Sequence, residues 1–163
     1  MKFTLALAQI NTKLGDVDAN LEKHLALAKE AAQSGADLLV FPELSLTGYV
    51  LQDIATTVAR RPTTDDPLFG RLLQAFKSLD MVVGFVEEDS RYRHYISAAY
   101  LSGGQVIHVH RKVYLPTYGI FDEKRYFAVG NCFRAFDTRF GRIGILICED
   151  FWQIGRASCR ERV

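Results

Sequence analysis

The sequence has almost no charge to spare. Twenty Lys and Arg stand against 19 Asp and Glu, a net charge of +1. No field of one sign is available to draw in a nucleic acid or an anionic membrane surface. Cysteine is scarce, with three residues at positions 132, 148 and 159. An odd number without zinc-type spacing gives neither a paired disulfide framework nor a zinc knuckle. Free thiols fit a reducing, cytoplasmic setting. Long apolar runs are also missing: nothing approaches the ~20 residues of a spanning helix. Met1-Lys2-Phe3-Thr4-Leu5 enters a strand-like pattern without the layout of a secretory leader. There is no internal repeat and no phosphate-cradling loop, because Gly103-Gly104 is followed by neither a helix nor Lys-Ser/Thr.

What remains is an ordinary globular composition, 48% hydrophobic and 24% charged over 163 residues. One soluble domain with a real core is the expectation. The patterning predicts a strand over 3–9, a helix over 20–34 with Gly35 at its C-terminus, and a buried strand over 37–41. Weak periodicity over 44–66 reads as a long loop with one helical turn. Leu68, Leu72, Phe76 and Leu79 make one apolar stripe of a helix over 67–80. Strands follow over 81–87, 94–101 and 106–112, the last two joined by a turn at Ser102-Gly103-Gly104-Gln105. A second long loop covers 113–130, and a final hairpin pairs 132–137 with 142–148. The fold class is α/β, a layered sandwich with mixed sheets, since strands joined by short turns must be antiparallel.

The last ten residues differ. Ile154 to Val163 has no useful periodicity and carries three Arg and one Glu. It reads as a foreign or disordered tail behind a partial domain over 1–153, with the native chain cut short after about Trp152.

Chemistry concentrates at three predicted strand ends. Ile145-Leu146-Ile147 reads as a strand buried on both faces, and it runs into Cys148-Glu149-Asp150. Glu43 follows Leu38-Leu39-Val40-Phe41-Pro42, and Lys112 follows Val106 to Arg111. If the strands share a sheet with like ends up, a carboxylate, an ammonium and a thiol meet at one edge, where α/β folds place their sites. Glu43 could then take the proton of the Cys148 thiol and later give it to a leaving amine. Lys112 could donate to a tetrahedral oxyanion, with the backbone N–H of Glu149 as a second donor. The reaction expected is acyl transfer from an amide or nitrile carbon through a thioester. The plain readings stay open beside this one. Cys148 could be a small core residue, Glu43 an exposed loop carboxylate and Lys112 a solvated strand edge. His108 and His110 share one strand face, but no third ligand is suitably spaced, so they read as strand residues and no metal is expected. Cys132 reads as core.

Phe41-Pro42-Glu43-Leu44-Ser45-Leu46-Thr47-Gly48-Tyr49, Arg111-Lys112-Val113-Tyr114-Leu115-Pro116 and Ile147-Cys148-Glu149-Asp150 together resemble the three motifs of the nitrilase (carbon–nitrogen hydrolase) superfamily. The stretch Leu115 to Phe127 and Cys148-Glu149-Asp150-Phe151-Trp152 are similar to the glutaminase domain of glutamine-dependent NAD synthetases. The resemblance implies an αββα sandwich. It also implies Glu43 as base, Lys112 as oxyanion donor, Cys148 as nucleophile and an accessory carboxylate at Glu123, with Asp122 beside it as the competitor. Tyr118 and Tyr49 would face a substrate, glutamine first and another small amide or ω-amide second; ordinary packing is the other reading of both. No cofactor is implied for the amidase step. ATP and an NAD precursor enter only where a C-terminal synthetase domain follows, and the longer protein is expected to be a homo-oligomer. A fragment left inactive by unpaired edges is the alternative from another class.

Overall fold

The computed structural model describes residues 2–158. Five strands form one sheet in chain order: β1 (Leu5–Leu7), β2 (Leu38–Val40), β3 (Asp80–Glu88), β4 (His94–Ser102) and β5 (Gln105–Arg111). The first three run parallel, and β4 and β5 are antiparallel to their neighbours. The sheet is therefore mixed, and β5 points the same way as β2. Their C-terminal ends share one edge, which brings Glu43 and Lys112 to the same side.

Two helices cover one face. Helix α1 (Val17–Gln33) starts earlier than its periodicity suggests, because the Asp16 side chain caps it by accepting from the Ala19 N–H at 3.0 Å. Gly35 follows the helix with φ of 75°, a left-handed turn that glycine adopts without penalty. A 3-10 turn (Gln52–Ile54) and the short α2 (Ala55–Val58) supply the helical turn expected in the long loop. Helix α3 (Pro67–Ala75) begins at Asp66, whose carboxylate accepts from Leu68 and Phe69, with Pro67 in the first turn. It ends before Leu79, which instead enters the core as the chain turns into β3. Leu21, Ala28, Leu68, Phe69 and Leu72 meet Leu39, Met81, Val83, Phe85 and Ala99 in this helix–sheet layer. Helix α4 (Glu123–Tyr126) lies in the second long loop.

The opposite sheet face presents Leu38, Val82, Val86, Ile96, Ala98 and Tyr100. A small hairpin, β6 (Phe136–Thr138) with β7 (Gly141–Ile143), packs over it. Arg139 in its turn donates to the carbonyls of Asp37 and Ser78 and pairs with the buried Asp80 at 3.2 Å. Helix α5 (Glu149–Ser158) closes the described chain. It carries on through 154–158, the start of the expected tail, and Cys159 lies outside the described residues. Among the described residues no helix is long and apolar enough to cross a membrane.

Three expectations need correction. The first strand is short, and Phe3, Leu5 and Leu7 are exposed, because β1 is a sheet edge with one face covered only where Phe140 stacks on Phe3. Residues 144–147 are not a strand despite their apolar run: among the described residues none lies alongside to form a ladder beyond the three residues of β7. Burial of Ile147, not strand pairing, holds this segment. Cys132 is exposed, because residues 131–135 run unpaired over the surface.

One buried histidine joins the helical layer to the site. His24 of α1 is fully buried, with Nδ1 2.7 Å from the Asn20 carbonyl and Nε2 2.9 Å from Ser45 Oγ. The carbonyl can only accept, so Nδ1 carries the proton and Nε2 receives the Ser45 hydroxyl. Burial drives the His24 pKa down to about 4, against a small upward pull from the Asn20 carbonyl. The fold holds His24 neutral while the unfolded chain protonates it near the ordinary 6.5. Stability is thus complete above pH ~6.5, falls as pH drops toward ~4, and loses about 3 kcal/mol from this residue. Urea unfolding at pH 7 and pH 4.5 will show that loss, and His24→Gln will flatten it.

Candidate active site

The site is built where the chain leaves β2 and β5. After β2 the backbone turns at Pro42 and carries Glu43 into the edge of the sheet. The turn is tight: Ser45 and Thr47 donate backward to Pro42 and Leu44 at 3.2 and 3.1 Å. It also lies directly on Gly84 of β3. A Cβ there would stand 2.4 Å from the Pro42 carbonyl and 2.6 Å from the Leu44 nitrogen. Ser45 Oγ and the Leu46 N–H bond to the Gly84 backbone, which locks the turn from below. Gly130 does the same for the other strand end. Its N–H donates to the Lys112 carbonyl at 2.8 Å, and a Cβ would meet the Arg111 carbonyl at 2.2 Å.

Lys112 is the centre. It is 1% exposed, an unusual place for a lysine. Its Nζ donates to Glu43 Oε1 at 2.7 Å and to Glu123 Oε1 at 2.8 Å. An ammonium has three donors, so one is left. Burial alone would lower its pKa, but Glu43 and Glu123 outweigh burial and raise it, so it stays charged. The inward carboxylate is Glu123; Asp122 beside it is exposed and faces Arg125. Glu123 Oε1 also accepts from the Tyr49 hydroxyl, while Oε2 is buried without a partner. Burial, then the Glu123 carboxylate, raises the Tyr49 phenol and keeps it protonated. Tyr49 is thus brought into the site as a support for Glu123. Burial also raises the Glu43 carboxyl above its ordinary range; Lys112 opposes this and Glu123 adds to it.

Cys148 sits at a sharp turn with φ of 45°, left-handed and strained for a residue with a side chain. It shares a cavity of about 140 Å³ with Glu43. The residue is exposed, yet partial burial of the thiol and then the Glu43 carboxylate raise its pKa, with Lys112 pulling the other way. The resting sulfur is a thiol beside a carboxylate that can take its proton. Helix α5 begins at the next residue, so the N–H of Glu149 is one of the free donors of its first turn. The Glu149 side chain accepts from Tyr118 at 2.8 Å and from Gln153 at 2.9 Å. These two bonds hold its carboxyl below the ordinary value, and Tyr118 itself is half exposed at 59%.

All seven expected residues fall in this one region, although Cys148 arrives on a turn and not on a strand. Sequence reasoning missed two others, His110 and Asp150. Asp150 is fully buried and bonds to His110 Nε2 at 2.8 Å. The signal was present in Cys-Glu-Asp, where a second carboxylate follows the thiol in the first turn of a helix.

Residues 4–155 match the carbon–nitrogen hydrolase family. The glutamine-dependent NAD(+) synthetase of Acinetobacter baylyi is 39% identical over 158 residues, covering 93% of this chain and 28% of that protein. The solved glutamine-dependent NAD+ synthetase of Acinetobacter baumannii, in complex with ADP, superposes with a TM-score of 0.82 at 38% identity over 96% of this chain and 30% of that one. An amidase from Nesterenkonia sp. AN1, solved with the acetamide moiety of fluoroacetamide covalently added at its active site cysteine, superposes at 0.77 with 27% identity over 94% of this chain and 59% of that one. The chain spans under a third of the length of the synthetases it matches. With the match running over nearly all of its described residues, the chain belongs to the carbon–nitrogen hydrolase family.

Proposed function

We propose that this chain carries thiol-dependent hydrolysis of an amide carbon–nitrogen bond, with the side-chain amide of glutamine as substrate and glutamate and ammonia as products. One observation carries the reading: a buried lysine holds two carboxylates beside a strained, accessible cysteine. Glu43 takes the proton from Cys148 Sγ as the sulfur attacks the amide carbon. The oxyanion that forms is met by the remaining Lys112 donor and the Glu149 N–H. The carbon–nitrogen bond breaks, Glu43 returns the proton to the leaving amine, and ammonia departs from a thioester. Water then attacks the acyl carbon, gives its proton to Glu43 and releases the acid and the thiol. The unpartnered Glu123 Oε2 is an acceptor for an N–H of the substrate amide or for that water.

The preference for glutamine rests on the names of the relatives and on Glu149. Its carboxylate and the Tyr118 hydroxyl stand together where a substrate ammonium would be welcome. The amidase step draws on protein groups alone. ATP and an NAD precursor belong to the synthetase chemistry for which the longer relatives are named, and ammonia made here would feed it. Free Cys132 and Cys148 support a cytoplasmic setting.

A small-amide hydrolase is the second reading, favoured by the likeness to the Nesterenkonia amidase. Ammonia release from glutamine and from propionamide separates the two. Glu149→Gln should raise KM for glutamine roughly 10- to 100-fold, the scale of one lost charge-assisted hydrogen bond, and leave propionamide unchanged. Equal loss on both substrates would remove Glu149 from substrate recognition. Turnover of propionamide without glutamine would hand the function to the second reading.

A further inference from the structure

We propose that Asp150, backed by His110, is a positioning residue that sets the Cys148 thiol against Lys112; this rests on the reading of Cys148 as nucleophile. Asp150 has no exposed surface and faces no Lys or Arg among the described residues, but it accepts from four donors on its two oxygens. Oδ1 accepts from the backbone N–H of Val113 at 3.0 Å and of Tyr114 at 2.9 Å. Oδ2 accepts from the Ile147 N–H at 3.2 Å and from His110 Nε2 at 2.8 Å. Every one of these donors belongs to the residues that flank the chemistry. Val113 and Tyr114 directly follow Lys112, Ile147 directly precedes Cys148, and His110 stands two residues before Lys112 on β5.

The carboxylate therefore spans the two chain segments that deliver the thiol and the ammonium. It also closes the turn that contains the thiol. The Asp150 N–H donates to the Ile147 carbonyl at 3.0 Å, and the Phe151 N–H donates to the Cys148 carbonyl at the same distance. A side chain in the left-handed region is retained only when its surroundings over-determine it. Asp150 grips Ile147 through both its main chain and its side chain, so Cys148 cannot relax without releasing Asp150. His110 completes the clamp: it is buried, and with Asp150 as acceptor its Nε2 must carry the proton. It stacks near Phe133 and does not line the cavity shared by Glu43 and Cys148.

A carboxylate that merely filled the core would affect stability and leave the sulfur's reactivity alone. The two roles separate in Asp150→Asn and in the pair His110→Leu and His110→Gln. Asparagine keeps one oxygen for Val113 and Tyr114 but sets an N–H₂ group against the Ile147 and His110 donors, which opens the turn. Leucine removes the His110 donor, while glutamine keeps an N–H₂ at a similar reach. The readouts are the rate of Cys148 alkylation by iodoacetamide, followed by peptide mass spectrometry with exposed Cys132 as internal reference, and the split between kcat and KM for glutamine. Asp150→Asn and His110→Leu should lower kcat roughly 10- to 100-fold, as expected for a nucleophile displaced by about 1 Å from its bound substrate, and hold KM within about twofold. Both should also shift the rate of Cys148 alkylation, because the thiol's ionisation follows its distance from Glu43 and Lys112. His110→Gln should recover most of the loss. Folded variants that label Cys148 at the wild-type rate with unchanged kcat would overturn the positioning role. If Asp150→Asn fails to fold, the two His110 variants decide by the same readouts. Glutamine hydrolysis that survives Cys148→Ala would instead remove the nucleophile reading, and the positioning role with it.

Discussion

Cys148→Ala is expected to release no ammonia from glutamine above background, a loss of at least about 10⁴-fold, because Ser97, the other hydroxyl or thiol lining the cavity shared with Glu43, is buried and donates its hydroxyl to Glu87. The variant should nevertheless stay folded. Cys148 is exposed and makes no hydrogen bond through its sulfur among the described residues, so its removal should change urea stability by no more than about 0.5 kcal/mol. Alanine is also tolerated at φ of 45° about as poorly as cysteine, so the backbone strain is the same before and after. The combination is diagnostic: full stability with no turnover places the sulfur in the chemistry. Cys148→Ser is expected to be nearly as inactive, since Glu43 is too weak a base for a hydroxyl, whose proton is held far more tightly than a thiol's. Retained hydrolysis in either variant, measured by coupled ammonia detection, would move the nucleophile elsewhere.

The second large effect belongs to Lys112→Met. Here stability and catalysis should fall together. Methionine is close in length, but it leaves the carboxylates of Glu43 and Glu123 in a buried site without the cation that both contact. Breaking a buried ion pair by removing one partner destabilises by about 3–5 kcal/mol. Loss of a preorganised donor to the oxyanion should take a further 10²- to 10³-fold from kcat. The stability deficit should depend on pH in a definite direction. Without Lys112 the Glu43 carboxyl, already raised by burial, rises further in the folded state, so protonating it relieves its repulsion with Glu123. The deficit is then largest near neutral pH and shrinks as pH falls toward 5, which urea unfolding at both values will show. A deficit that grows in acid would mean that the lysine does not neutralise the pair. Arginine should not rescue: its planar fork does not fit a pocket shaped around one ammonium.

Much of this was legible in the residues. The alternation and turn signals placed β3, β4 and β5 within a residue or two, because these strands are long and pair on both sides or across short turns. Glu43 and Lys112 were legible as residues just beyond a strand, whereas the edge they share with like ends up follows from the sheet order, which periodicity does not carry. What misled was the apolar run before Cys148. Hydrophobicity says that Ile147 is buried, but a strand also requires a neighbour's backbone, and periodicity carries no information about neighbours. The same ambiguity overstated β1, whose Ala6 and Ala8 pack inward while Leu5 and Leu7 stay exposed. His110 and Asp150 were hidden for a different reason. They stand 40 residues apart, and only the meeting of β5 with the start of α5 makes them a pair. Glu123 could be separated from Asp122 only when α4 turned one carboxylate toward Lys112 and the other toward solvent.

The most direct test of the central claim is to look for the acyl intermediate itself. Rapid acid quench of the chain mixed with glutamine, followed by mass spectrometry of the intact protein and of its Cys148 peptide, reads the species formed between the two half-reactions. The predicted result is a glutamyl group attached to Cys148, labile to hydroxylamine, formed along with one ammonia per adduct and lost as glutamate appears. Hydrolysis of glutamine with Cys148 unmodified at every quench time, and unaffected by Cys148→Ala, would contradict a thioester mechanism at this site.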